Sequence, residues 1–287
     1  RVRCLVRDEL VLAASVELLA TAGFGGGGVG GPADTIATCD LAVSHGLLWS
    51  CRMFDPQVRA LRGRYRCIAY DHRGQGQSDV SRMHTVDMET VYADGVALVE
   101  KLGVGPCHFV GLSMGGFVGM RIAARRPELL RTLSLLETSA EPEPEQNVPR
   151  YKALNVVARF FGVRWVAGQV MPLMFGRTFM EDPARAGERA EWRQRLMDNR
   201  RDIWRAVNGV IYRRSVLDEL PRIRTPTLVV VGAEDTATVP AKAERLHAGI
   251  AGSRLVKLPR GGHSSSIEEP ALLNAALEDF LGAYRAS

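Results

Sequence analysis

The chain has 287 residues, 46% of them hydrophobic and 24% charged, with a formal net charge of +5. That length serves one large domain or two modest ones with a sizeable core, and no window is apolar over enough residues to span a bilayer. Positive charge is carried almost wholly by Arg, with Lys only at 101, 152, 242 and 257; acidic residues are mixed in and no single basic block stands out, so a nucleic-acid partner is not expected.

The N-terminal stretch RVRCLVRDELVLAASVELLATAG is similar to a secretory leader, but Asp8, Glu9 and Glu17 interrupt it. The five cysteines (Cys4, Cys39, Cys51, Cys67 and Cys107) are odd in number, and no two are spaced as a zinc or redox pair. Reduced thiols in a cytoplasmic protein are the expectation. Residues 1–34 carry the weakest pattern, and the glycine-rich GFGGGGVGGP within them reads as a flexible link.

Beyond it, strand-like and helix-like stretches alternate. LAVSHG (41–46) is a short apolar strand, and RYRCIAYDHRG (64–74) contains another ending at Asp71. Residues 86–104 have helical spacing, an acidic start and a Gly end. CHFVGLS (107–113) is a strand, 114–127 a helix stopped by Pro127, and TLSLLE (132–137) a strand. TLVVVG (227–232) and RLVKLP (254–259) are two more strands, and 268–285 is a closing helix. Such alternation implies an α/β fold with a mostly parallel central sheet flanked by helices. It fails between about 138 and 220, where acidic, proline-rich EPEPEQNVP leads into helical stretches rich in Trp, Phe, Met and Arg. The expected organisation is a core of 35–140 and 218–287 with a helical cap, 141–217, inserted between two strands.

In GLSMG, Ser113 stands where strand becomes helix. A sharp turn there exposes the hydroxyl in a strained conformation, and Gly111 and Gly115 let the turn approach its neighbours. The Met114 N–H then points at whatever bonds to Ser113. Serine needs a base. His263, in GGHSSSIEEP, lies past the last strand, at the sheet edge where ligands gather. The base needs an orienting carboxylate, and VVVGAEDTATVP puts Asp235 just past the preceding strand. SHGLLWS offers the N–H of Leu47 as a second oxyanion donor. Glu137, ending an earlier strand, is the rival acid.

SHGLLWS, YDHRGQGQS, VGLSMGG, VVVGAEDTATVP and GGHSSSIEEP, in that order along the chain, resemble the α/β-hydrolase family from about residue 40 to the C-terminus. The similarity is greatest to its enol-lactonase, esterase and cofactor-free haloperoxidase branch, where G-x-S-M-G-G and a helical cap are usual. The resemblance implies nucleophile Ser113, base His263, acid Asp235 and oxyanion amides at Leu47 and Met114. It implies no metal or organic cofactor, and a small ester or lactone as substrate, with no membrane partner and a homodimer allowed. It also implies two antiparallel strands before SHG, which residues 1–40 do not display cleanly.

The same triad serves perhydrolases, C–C bond hydrolases and non-turnover ligand receptors, which stay open as alternatives. A dehalogenase or epoxide hydrolase needs Asp as nucleophile, against Ser113. His108 reads as a satisfied core histidine, His45 as a loop-shaping one, and His72, His84 and His247 as surface residues. Asp71 and Arg73 read as a structural pair. Phe160, Phe161, Trp165, Trp192 and Trp204 read mostly as cap core, and the cap arginines as a solvated face.

Overall fold

In a computed structural model, which describes residues 4–6, 9–11 and 39–285, eight strands form one sheet. These are β1 (Cys4–Val6), β2 (Glu9–Val11), β3 (Cys39–Ser44), β4 (Tyr65–Tyr70), β5 (Cys107–Leu112), β6 (Leu130–Leu136), β7 (Thr227–Gly232) and β8 (Arg254–Leu258). Their order is β2-β1-β4-β3-β5-β6-β7-β8. From β4 to β8 the pairing is parallel; β1 is antiparallel to both β2 and β4. The first sheet edge is therefore a short antiparallel hairpin, in a region whose residue pattern gave little sign of it. The leader-like run and the glycine-rich link fall largely outside the described residues.

The helices are α1 (Asp55–Leu61), α2 (Met88–Leu102), α3 (Met114–Arg125), α4 (Val148–Phe161), α5 (Ala167–Met174), α6 (Arg177–Glu181), α7 (Ala186–Met197), α8 (Trp204–Ile211), α9 (Pro240–Gly249), α10 (Ser265–Glu268) and α11 (Pro270–Gly282). Each strand residue points opposite to its neighbour, so the sheet divides the core in two. Leu41, Val43, Val110 and Leu112 face α1, α11 and much of the 148–211 region. Ala42, Phe109 and Leu135 face α2, α3 and α9. Strand β5 is buried throughout, as a parallel strand covered on both faces must be. Asp87 caps α2 by accepting from the Thr90 N–H at 2.7 Å, and Gly103 ends it in the left-handed region at φ 60°.

The chain leaves the sheet after β6 and returns to it at β7, with α4 to α8 between. The exit and return are joined where the Val216 N–H donates to the Ala140 carbonyl at 2.8 Å. Beside this neck, Arg213 and Glu143 form a buried ion pair at 2.8 Å. Helix α4 packs on α8, where Asn155 Nδ2 donates to the Trp204 carbonyl and Asn208 Oδ1. Of the aromatics of this stretch, Trp192 and Trp204 are buried. Phe160, Phe161 and Trp165 are not: they stand 58%, 62% and 68% exposed. Helical spacing turns Leu154, Asn155 and Ala158 inward, which leaves Val156 and Phe160 on the opposite side.

Glycine is obligatory where α3 crosses β3. A Cβ at Gly115 would collide with the Ser44 carbonyl, and one at Gly111 with the Gly115 carbonyl. Both obstacles are backbone and cannot rotate away. Gly115→Ala should therefore cost about 3 kcal/mol or more, at the upper end for overpacked cores. Urea unfolding checks this; an unchanged midpoint would show that α3 can shift away from β3.

Candidate active site

Strand order reverses at β3: β4 lies on one side of it and β5 on the other. The loops following β3 and β5 therefore open a crevice at the carboxyl edge of the sheet, where open α/β sheets bind ligands. Ser113 occupies the β5 loop with φ 51° and ψ −109°, a conformation that L-residues avoid. Its backbone is held on both sides. The N–H donates to the Leu136 carbonyl at 2.8 Å, and its own carbonyl accepts from Thr138 Oγ1 at 2.8 Å and from the Phe117 N–H at 3.1 Å. Met114 begins α3, where backbone N–H groups have no intrahelical acceptor.

The β3 loop carries Leu47, which lines the same cavity as Ser113. Leu48, next to it, has φ 71°. The buried Gln75 fixes this turn: its Oε1 accepts from the Leu48 N–H at 3.0 Å, and its Nε2 meets Met114 Sδ at 3.6 Å. Gln75 thus spans the two loops that carry the candidate oxyanion amides. It sits within the glycine-rich YDHRGQGQS motif, but no spacing rule singles it out.

His263, on the loop between β8 and α10, lies with Nε2 3.0 Å from Ser113 Oγ and Nδ1 3.0 Å from Asp235 Oδ2. With Asp235 ionised, the proton sits on Nδ1, and Nε2 is left to accept from the serine hydroxyl. All three residues are buried. Asp235 also accepts from Thr238 Oγ1 at 2.6 Å, the Ala237 N–H at 2.8 Å and the Thr238 N–H at 2.9 Å. Burial alone would raise its pKa. The charge and hydrogen bond of His263, with the Thr238 bonds, outweigh burial and hold it below the usual aspartate range. Thr238 went unremarked in the sequence; it follows the motif's acid by three residues.

Two further buried carboxyls lie nearby. No bond joins His263 to Glu137, which has φ 42° and is wholly buried. Neither Glu137 oxygen has a partner in hydrogen-bond geometry, although the Ser265 hydroxyl is close. Burial first, and then the charges of Asp235 and Glu268, push it well above the ordinary glutamate range. Glu268 accepts from the Gly176 N–H at 2.7 Å and the Ser264 N–H at 2.9 Å, tying the 175–176 turn to the histidine loop. Its burial outweighs these bonds and pushes its pKa up to about 7.

The other singled-out residues are structural. His45 Nε2 accepts from the His72 N–H at 3.0 Å and Nδ1 meets the Gly46 carbonyl at 2.7 Å, so the ring shapes the β3 loop. His72 is buried, not at the surface, since its ring bridges Ser44 Oγ and the His45 carbonyl; His84 and His247 are exposed. His108 is only half satisfied: Nδ1 pairs with Thr132 Oγ1, Nε2 has no partner, and burial lowers its pKa to about 4. Asp71 and Arg73 do not pair. Asp71 accepts from the Cys51 and Gln77 N–H groups, while Arg73 grips Asp94 with two nitrogens.

Ser113 and His263 open onto a cavity of about 150 Å³. Its walls are mainly aliphatic, from Leu154, Ala158, Val166, Val170 and Val207 of the inserted helices and Leu47 and Phe117 of the core. Arg213, Glu143, Tyr151 and Asn155 supply its polar part. Among the described residues, no group of three or more His, Cys, Asp or Glu is placed to hold a metal ion.

This fold and this crevice define a hydrolase class, and the sequence itself agrees: residues 41–276 match the model of the alpha/beta hydrolase family, to which the chain belongs. It is 30% identical over 256 residues to a Variovorax paradoxus protein named "Putative carbamate hydrolase RutD", covering 88% of this chain and 94% of that one. The enol-lactonase of Burkholderia xenovorans LB400 superposes with a TM-score of 0.78 at 30% identity, over 85% of this chain and 92% of the other. A thermophilic esterase from Thermogutta terrifontis superposes at 0.80 with 26% identity, over 86% and 91%. The resemblance to the enol-lactonase and esterase branch thus extends over most of the chain.

Gln75→Leu should lower kcat roughly tenfold with little change in KM, a fraction of the 10²–10³ lost when an oxyanion donor is removed outright. Unchanged kcat would free Gln75 of any positioning role. Asp235→Asn should lower kcat by about 10⁴-fold through loss of the histidine's tautomer, while Glu137→Gln retains most activity; the reverse ranking would exchange the two acids. The pH dependence of stability gives a separate readout for Glu137. A carboxyl with a raised native pKa binds its proton more tightly when folded, so its contribution to stability falls as pH rises above the ordinary value of 4.5. Glu137→Gln should therefore gain on wild type in urea midpoint from pH 5 towards pH 9, and parallel curves would exclude this titration.

Proposed function

We propose that the protein is a serine hydrolase that cleaves a carboxylic ester or lactone through an acyl-enzyme, with Ser113, His263 and Asp235 as its triad. The observation that carries this reading is the unbroken chain of two 3.0 Å bonds from Ser113 Oγ through His263 to Asp235, opening onto an apolar cavity. Ser113 attacks the carbonyl carbon as His263 Nε2 takes its proton. The N–H groups of Leu47 and Met114 stabilise the oxyanion, and Asp235 stabilises the imidazolium. His263 then gives its proton to the leaving oxygen, and later takes one from the water that releases the acid. The helices of 148–211 act as the cap.

The cavity bounds the substrate. Its volume of about 150 Å³ and mainly apolar walls suit a compact, uncharged acyl group. A carbamate is the second reading, favoured by the name of the Variovorax paradoxus relative; its carbonyl meets the same nucleophile and the same oxyanion donors.

A fluorophosphonate probe should label wild type once and Ser113→Ala not at all. Ser113→Ala should also lose kcat by roughly 10⁶-fold while keeping its fold. Single-site labelling that survives in Ser113→Ala sinks the assignment. Across aryl esters, kcat/KM should be higher for uncharged apolar acyl groups than for charged ones of equal size, and matched carbamates decide between the two readings.

A further inference from the structure

The net charge of this molecule is not spread over it. Residues 141–217 hold fourteen Lys and Arg against nine Asp and Glu, whereas the rest of the chain holds twenty-three of each. The whole +5 resides in the insertion, although along the sequence the charges look evenly mixed. Within the insertion, no Asp or Glu occurs from 146 to 180, a stretch that carries Arg150, Lys152, Arg159, Arg164 and Arg177.

The same stretch is where apolar surface is left uncovered. Val156, Phe160, Phe161 and Trp165, with Tyr212, are the five most exposed large apolar side chains among the described residues, each more than half exposed. Four of them lie within ten residues of the chain, and the fifth is brought to α4 by Lys152. Lys152 Nζ lies 5.1 Å over the Tyr212 ring, and the Arg159 guanidinium lies over both Phe160 and Trp204. Lys152, Arg159 and Arg164 are themselves exposed. Scattered apolar residues are ordinary on a surface, but three aromatic rings within six residues, each more than half exposed, mark a place of contact.

We propose that the outer face of α4 and the turn after it dock onto an anionic lipid surface. Aromatic rings beside Lys and Arg on one side of a helix suit the boundary between headgroups and acyl chains: the rings enter it and the cations meet phosphate. A second copy of the chain is a poorer occupant. A two-fold contact sets a patch against itself, here cation against cation, with no acid from 146 to 180 to neutralise them. This mode of binding needs no membrane span, and among the described residues no helix is long and apolar enough to make one. The inner side of the same segment, through Leu154, Ala158, Val163 and Val166, lines the cavity above Ser113. The docking face is therefore the outer side of the cavity's own wall.

The test is sedimentation of the full chain with vesicles of phosphatidylcholine alone, or with about one third phosphatidylglycerol. Each Lys or Arg at an anionic surface contributes about a fivefold factor, so three cations give a preference on the order of a hundredfold for the anionic vesicles, weakened by high salt. The triple variant Phe160→Ser, Phe161→Ser, Trp165→Ser should lose at least tenfold in partition. The double variant Lys152→Glu, Arg164→Glu should lose the preference for anionic lipid. None of these five residues lines the cavity, and circular dichroism with the thermal midpoint verifies that each variant is folded. The proposal fails if wild type stays in the supernatant with both vesicles, or binds both alike, or if the folded triple variant partitions like wild type. It also fails if the patch instead drives dimerisation or binding to single-stranded RNA without vesicle partition.

Discussion

Ser113 is held in a backbone conformation that costs of the order of 1–3 kcal/mol and survives only where its surroundings over-determine it. The surroundings do so here. Leu136 and Thr138, at the end of β6, take the N–H and the carbonyl of Ser113, and Phe117 in α3 takes the carbonyl again. That requires β6 to lie beside β5 in register, which in turn places β7 and its Asp235 loop on the far side. On the near side, α3 approaches β3 so closely that the Ser44 carbonyl fills the space of a Gly115 side chain. A single strained residue thus ties together β3, β5, β6 and α3, and the crevice lies where those strands end.

Three buried carboxyls lie close to the histidine loop, and they differ mainly in how many donors each one has found. Asp235 accepts four hydrogen bonds, one of them from the His263 ring, and its pKa is lowered. Glu268 accepts backbone amides and titrates near neutrality, at about 7. Glu137 has no partner at hydrogen-bond geometry and holds its proton most firmly. Donors stabilise a carboxylate and burial opposes it. Negative charge therefore collects first on the one carboxyl in line with His263, while burial holds the proton on Glu137 and keeps Glu268 titrating near 7.

The sheet from β3 to β8 was legible because its strands are nearly continuous apolar runs between helix-period stretches. Ser113, Asp235 and His263 were legible because each sits just past such a run, in a motif of small residues. Gln75, Thr238 and Glu268 were not. Gln75 and Glu268 work through contacts across the fold, between residues 27 and 92 positions apart, and Thr238 binds Asp235 within one turn that no apolar period marks. The hairpin β1–β2 has only three residues per strand, too few for an alternation to declare itself. The misplacement of Phe160, Phe161 and Trp165 has another cause. An apolar residue is expected inside, but α4 has an inner face already filled by Leu154, Asn155 and Ala158, and sequence alone does not say which apolar side chain is left over.

The single hydrogen bond between Val216 and Ala140 brings the two ends of a stretch of more than seventy residues into contact. Closing so long a loop costs little more than closing a short one, because the entropy grows only with the logarithm of length. The stretch is nevertheless fastened to the core beyond that neck, where the Gly176 N–H donates to Glu268 and Asn199 Nδ2 donates to the Leu48 carbonyl, so its walls and the loops that carry the reacting groups hold one another in place.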